Sequence, residues 1–182
     1  MIARWDRAVV EAVQHLHWGP ANWCFEHLSD WWVKSLVIVG IGLVADLLGR
    51  RRFPFGAALG AVSYLAAEGL SSLLKGVFDR PRPSIVDPAV HPLVSVPHNG
   101  SMPSTHAASA FAAALAVGLV HPRVRWPLLA LAALIAFSRV WLGVHYPTDV
   151  IVGAALGAVI ALVLWHLSIR GSTAARRDHN RR

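Results

Sequence analysis

Three short stretches of the chain hold residues able to do chemistry. They are Lys75 with Arg82-Pro83, then Pro103-Ser104-Thr105-His106, then Ser138-Arg139 with His145 and Asp149. Moving a phosphoryl group needs an in-line nucleophile, a proton for the leaving oxygen, and positive charge around the equatorial oxygens. Lys75, Arg82 and Arg139 can supply the charge, the arginines by two-point contacts and the lysine as a mobile point charge. Ser104 and the free amides of a helix starting beside it can bind an anion. Pro103 suits that entry because it has no N–H to leave unpaired. His145 and His106 stand as nucleophile and acid. A histidine nucleophile must be neutral at one nitrogen while the other is held by an acceptor. Asp149, four residues on, can be that acceptor, or can cap the helix that follows. Taken singly, Ser104 reads as a cap and Lys75 and Arg82 as interfacial anchors. As an ordered set they make the tools for phosphoryl transfer with no metal or cofactor. The single Cys24 excludes an internal disulfide and a cysteine zinc cluster.

These residues must be positioned by membrane helices. The chain has 182 residues, 55% hydrophobic and only 15% charged, with mean hydropathy +0.48. A soluble domain carries more charge. Five apolar runs, 31–48, 53–74, 106–120, 126–144 and 150–169, approach the roughly 20 residues that span a bilayer. The expected fold is all-α: a polytopic membrane bundle of about five transmembrane helices plus an N-terminal amphipathic helix. Residues 1–30 form the amphipathic segment, 31–170 the transmembrane domain, and 171–182 a basic tail. Ile2, Trp5, Val9, Val13 and Leu16 make an apolar stripe with Asp6, Arg7, Glu11 and Gln14 between. Such a helix lies at the membrane surface or packs on the bundle. Gly19-Pro20 breaks it, and no cleavable signal peptide is expected.

Charge sets the topology. Arg50, Arg51, Arg52, Arg123, Arg125, Arg170, Arg176, Arg177, Arg181 and Arg182 make ten of the seventeen Lys and Arg, and all fall on one side of an alternating path. By the positive-inside rule that side is the cytoplasm, and the C-terminus with it. The net charge of +7 is thus a topology signal that also touches anionic membrane lipid, not a nucleic-acid surface. The three polar stretches then meet at the extracytoplasmic face. Residues 81–103 hold six of the eleven prolines, so they should form a stiff, non-helical loop bordering the site. His98 and Asn99 lie in that loop within reach of the site. Glu68 either tunes Lys75 or pairs structurally with another helix, and Asp46 is expected at the cytoplasmic interface. Gly153, Gly157 and Ala161 offer a small-residue face, for a second helix pair or for packing within the bundle.

The pattern resembles the type 2 phosphatidic acid phosphatase (PAP2) superfamily, whose signatures are K-x6-R-P, P-S-G-H and S-R-x5-H-x3-D. The match runs over 75–149, and the helical pattern carries it to about residue 170. The resemblance implies that His145 attacks phosphorus to give a phosphohistidine, that His106 protonates the leaving group, and that Asp149 orients His145. Lys75, Arg82, Ser104, Arg139 and the Thr105 amide would hold the phosphate, and no metal is required. Soluble relatives bind vanadate in the same pocket as haloperoxidases. Thr105 stands where the family has glycine, and its β-branch restricts φ and narrows the pocket. Many bacterial members have six spans. A five-span form resembles small envelope phosphatases of polyprenyl diphosphates, which makes a prenyl phosphate the expected substrate and a glycerolipid phosphate the alternative. A non-catalytic lipid-phosphate carrier or scaffold is the rival from another class, and a vanadate-dependent oxidase is a second.

Overall fold

The computed structural model describes residues 2–28, 30–50 and 53–179, with side chains for 4–28, 30, 36–50 and 53–170. Arg51, Arg52, Arg181 and Arg182 lie outside the described residues, as do the side chains of Ile2, Lys34, Arg176 and Arg177. The described chain is all-helical: α1 (Ile2–Gln14), α2 (Gly19–Leu28), α3 (Trp31–Leu48), α4 (Phe55–Phe78), α5 (Pro83–Val86), α6 (Thr105–Val120), α7 (Arg125–Trp141) and α8 (Pro147–His179). A single 3₁₀ turn, Pro122–Val124, joins α6 to α7.

α6 is the centre of the bundle. Eleven of its sixteen residues are buried, so it meets neighbours on every side: α3, α4, α7 and α8 all pack on it. Its alanines leave room for this, because a helix with small side chains lets other backbones come close. The fit is tightest against α8. A Cβ on Gly157 would come within 2.1 Å of the Ala108 carbonyl, and one on Gly153 within 2.5 Å of the Ser104 carbonyl. Ala161 is fully buried in the same seam, beside Leu59, Ala116 and Val120. The small-residue face of α8 therefore packs within the bundle.

The outer surfaces are apolar. Leu65, Leu73 and Val77 on α4, and Val159, Leu162, Val163 and Leu167 on α8, are half or more exposed. Contiguous apolar surface on this scale needs hydrocarbon around it. Three segments are long and apolar enough to cross a membrane: Phe55–Val86, Pro122–Trp141 and Pro147–Arg170. α6 and the Leu36–Leu48 part of α3 are shorter apolar helices. The five apolar runs read from the sequence thus appear as five helices of a multi-pass membrane bundle, three of which meet the length for a full crossing.

Several boundaries differ from expectation. The fourth run stops at Trp141 because Gly143 turns to φ +73, and the Leu142 and Gly143 amides close the helix on Ser138 and Val140. The proline-rich loop is not wholly irregular. Pro83 occupies the first turn of α5, where its missing N–H costs nothing. α8 continues through His179, so the described part of the basic tail extends the last helix. Asp46 lies in the last turn of α3, near the end expected at the interface, and is buried among protein groups. Its Oδ2 accepts from the Ala57 amide at 2.9 Å, and Oδ1 lies 2.9 Å from His121 Nε2.

α1 packs on the bundle, the second of the two arrangements its stripe allowed. Val10 and Val13 are buried against Val140, Trp141, Leu142, Val144 and Tyr146. Gln14 accepts from the His91 amide, and His17 Nε2 bonds the Trp141 carbonyl at 2.8 Å. Trp5, Trp18 and Trp23 remain exposed, in keeping with indole rings at a membrane–water interface.

Candidate active site

Every motif residue lies at one end of the bundle. Lys75 is in the last turn of α4, Thr105 and His106 open α6, Arg139 is in the last turn of α7, and Asp149 is in the first turn of α8. The turn between α7 and α8 carries His145. Its amide and that of Val144 both donate to the Arg139 carbonyl, at 3.2 and 3.3 Å, so the nucleophile candidate is fixed to the arginine's own backbone. The Ser104 amide donates to the Asp149 carbonyl at 3.0 Å, which ties the start of α6 to the start of α8.

His145 is 3% exposed and Asp149 fully buried. Nδ1 of His145 lies 3.5 Å from Asp149 Oδ2, without a formed hydrogen bond. Nε2 lies 3.2 Å from Arg82 Nη1. A guanidinium can only donate, so Nε2 must be the lone-pair nitrogen and the ring proton sits on Nδ1, toward Asp149. That is the tautomer a nucleophilic Nε2 requires. Burial pushes the His145 pKa down to about 3; Arg82, Arg139 and Lys75 push the same way, and Asp149 opposes them. The imidazole is therefore neutral across the ordinary pH range.

Arg82, 2% exposed, is held on all sides. Nη1 also donates to the Val144 carbonyl at 2.9 Å, Nε to the Asn99 carbonyl at 3.1 Å, and Nη2 to Asn99 Oδ1 at 2.8 Å. Lys75 Nζ donates to the Gly100 carbonyl at 2.9 Å. The loop thus closes over the site through its backbone. Gly100 is needed there, because a Cβ would meet the Lys75 carbonyl at 2.8 Å. Asn99 reaches the site as the sequence allowed, while His98 lies exposed in the same loop.

Buried polar atoms without a partner are rare. Among the described residues there are five, and three belong to this site: Ser104 Oγ, Arg139 Nε and His145 Nδ1. Ser104 begins α6 but makes no side-chain cap, so its hydroxyl is not spent on the helix. Thr105 is helical, and the left-handed non-glycine residues are Arg50 and Asp79 alone among those described. The position therefore does not demand glycine. Asp149 stands where either reading would put it: Oδ2 accepts from the Tyr146 amide at 2.9 Å and lies 3.5 Å from His145 Nδ1.

Sequence reasoning missed Arg80. Its Nη1 donates to Asp149 Oδ1 and to Thr148 Oγ1, each at 2.7 Å, and its Nη2 pairs with Asp6 at 2.6 Å. Its guanidinium also lies 4.1 Å from the centre of the Tyr146 ring. Glu68 is half-buried two turns before Lys75 on α4. Ser71, between them, donates to the Ala67 and Glu68 carbonyls.

The chemistry that this geometry suits agrees with what the chain is similar to. Residues 56–171 match the PAP2 superfamily. The chain is 40% identical over 143 residues to the decaprenylphosphoryl-5-phosphoribose phosphatase of Mycobacterium tuberculosis, covering 76% of this chain and 72% of that protein. It is 28% identical over 134 residues to the undecaprenyl-diphosphatase BcrC of Bacillus subtilis, covering 74% and 67%. Among solved structures, the transmembrane PAP2 type phosphatidylglycerolphosphate phosphatase of Bacillus subtilis aligns with a TM-score of 0.71 at 23% identity, over 93% of this chain and 87% of that one. That last likeness is one of fold. A family match running from the start of α4 through most of α8, with a relative of 40% identity along three-quarters of the sequence, means that this chain belongs to the PAP2 superfamily and is one of its membrane phosphatases.

Proposed function

We propose that the protein hydrolyses a phosphate from a prenyl-linked substrate, a polyprenyl diphosphate or a prenyl-phosphate derivative, at the extracytoplasmic face of the cytoplasmic membrane. The observation that carries the mechanism is the His145 ring, with Nε2 facing the Arg82 guanidinium and Nδ1 facing Asp149. Nε2 attacks phosphorus while Lys75, Arg82, Arg139, Ser104 Oγ and the Thr105 amide take up the charge on the phosphoryl oxygens. The P–O bond to the lipid breaks, and His106 gives its proton to the leaving oxygen. Water then attacks the phosphohistidine and gives a proton back to His106, the N–P bond breaks to leave His145 neutral, and phosphate leaves. Acid catalysis at His106 contributes roughly 10²–10⁴ in rate.

The prenyl assignment is supported by the two relatives described above, whose names carry decaprenyl and undecaprenyl groups. An apolar groove lined by Val9, Phe111, Phe137, Val140, Val150 and Ile151 reaches Pro147 beside the site and suits a hydrocarbon chain. The groove serves a glycerolipid equally well, so phosphatidylglycerol phosphate and phosphatidic acid belong in the test. The assay is phosphate release by detergent-purified protein in excess EDTA. It compares a polyprenyl diphosphate, a prenylphosphoryl sugar phosphate and the two glycerolipids, with His145→Ala alongside. Metal-independent turnover that prefers a prenyl substrate and falls by at least about 10³-fold in the variant is expected. Full activity of His145→Ala would sink the phosphohistidine route, and a preference for glycerolipid would sink the prenyl one. A lipid that binds but is never turned over would point to the carrier.

A further inference from the structure

Asp149 is not oriented by His145 alone. Its Oδ2 takes the Tyr146 amide and faces the imidazole, whereas its Oδ1 takes Arg80 Nη1 at 2.7 Å. Arg80 is in turn gripped by Asp6, from helix α1, at 2.6 Å. Asp6 also accepts from the Thr148 amide at 3.0 Å and from the Thr148 hydroxyl at 2.5 Å. Thr148 Oγ1 accepts from Arg80 as it donates to Asp6, so Arg80, Thr148 and Asp6 close a ring at the start of α8, and Asp149 joins it through Arg80. Asp6 and Asp149 are both fully buried, and one guanidinium serves the two of them. Buried carboxylates that lose such a partner are strongly destabilised, so the ring fixes the plane of the Asp149 carboxylate. Stacking on Tyr146 holds the guanidinium from its face.

We propose that Arg80 and Asp6 are positioning residues of the phosphatase: through them helix α1 sets the carboxylate that orients the nucleophile. Asp6 lies outside the 56–171 family match, and Arg80 is neither of the two cations of its motif. The inference rests on His145 being the nucleophile. Arg80 and Asp6 act only through Asp149, so their loss misplaces His145 Nε2 while leaving Lys75, Arg82 and Arg139 to bind phosphate. Arg80 carries a second duty, since its carbonyl accepts from the Ser101 amide at 2.7 Å, but a side-chain substitution leaves that bond in place.

The test uses the full-length protein in detergent with the lipid phosphate that wild type turns over best. Arg80→Gln, Arg80→Lys, Asp6→Asn and the Arg80→Gln/Asp6→Asn double variant are compared for kcat, KM, inhibition by inorganic phosphate, and thermal melting. Arg80→Gln is expected to lower kcat about 10–100-fold, with KM and phosphate inhibition within about twofold of wild type. Arg80→Lys restores most of kcat, and Asp6→Asn, which lowers it less by itself, adds little to Arg80→Gln. Wild-type kcat in folded Arg80→Gln overturns the proposal, as does a loss spread equally over kcat, KM and phosphate inhibition, which marks a merely structural role. Where Arg80→Gln does not fold, Asp6→Asn and Arg80→Lys decide by the same split. A wild type active on glycerolipid rather than prenyl phosphate overturns the substrate reading alone. A fully active His145→Ala removes the nucleophile on which the clamp depends.

Discussion

At the scale of the residue, the site depends on keeping one imidazole neutral among three cations. A histidine takes up a proton near pH 6.5 when unfolded, but here burial pushes the pKa of His145 down to about 3. Between those values the unfolded chain binds more protons than the folded one, so stability is fully present above pH 6.5 and is lost as pH falls toward 3. The wild-type melting temperature should therefore drop between pH 6.5 and pH 4, and His145→Gln, which has nothing to protonate there, should drop less. Parallel melting curves for the two proteins would contradict the assignment. Asn99 matters differently. It holds the fork of Arg82 through both its carbonyl and its Oδ1. Asn99→Ala removes the second of these, a bond to a charged group of about 1.5–3 kcal/mol when buried and less in this exposed loop. The expected result is a KM raised several-fold with kcat nearly kept, checked by steady-state kinetics.

At the scale of the element, the helices were legible because each motif sits at one helix end, and because apolar runs of the right length must be helices in a membrane. Trp31–Leu48 stands as read, and Ser104, Arg139 and Asp149 came out at helix ends that the sequence marks with Pro103, Gly143 and Pro147. Arg80 and Asp6 were not legible. Arg80 reads as one more loop cation, and Asp6 as a polar residue on the wet side of an amphipathic stripe. Their pairing spans most of the chain, and no local spacing encodes it. The small residues of α8 were legible as a packing face but not as to its partner, because a glycine stripe has the same spacing whether it meets α6 or a second molecule. The structure's answer has a measurable consequence. Gly157→Ala forces a methyl against the Ala108 carbonyl, whereas a Cβ at Gly69 meets nothing within 4 Å. Gly157→Ala should lower stability by about 1–3 kcal/mol, while Gly69→Ala should raise it by up to about 1 kcal/mol through lost backbone freedom. Thermal melts in detergent separate the two.

At the scale of the whole molecule, the two ends of the bundle differ in kind. One end gathers the motif residues, the proline-rich loop and α1, on which Trp5 is exposed. The other joins α3 to α4 and α6 to α7, and carries Arg50, Arg123 and Arg125. There His121 and the buried Asp46 latch the start of α4 to the end of α6. Translocating a loop rich in Lys and Arg is disfavoured, so the arginine end should stay in the cytoplasm and the motif end should face out. A substrate headgroup would then meet Lys75, Arg82 and Arg139 from the extracytoplasmic leaflet without crossing the hydrocarbon layer. His98 lies exposed in the loop over the site, and Arg123 lies exposed at the opposite end. In a Cys24→Ser background, which removes the one native thiol, His98→Cys should react with a membrane-impermeant maleimide in intact cells. Arg123→Cys should react only after permeabilisation. The reverse pattern would turn the whole bundle over and move the site to the cytoplasm. Such a result would leave the geometry around His145 untouched while changing which leaflet supplies its lipid.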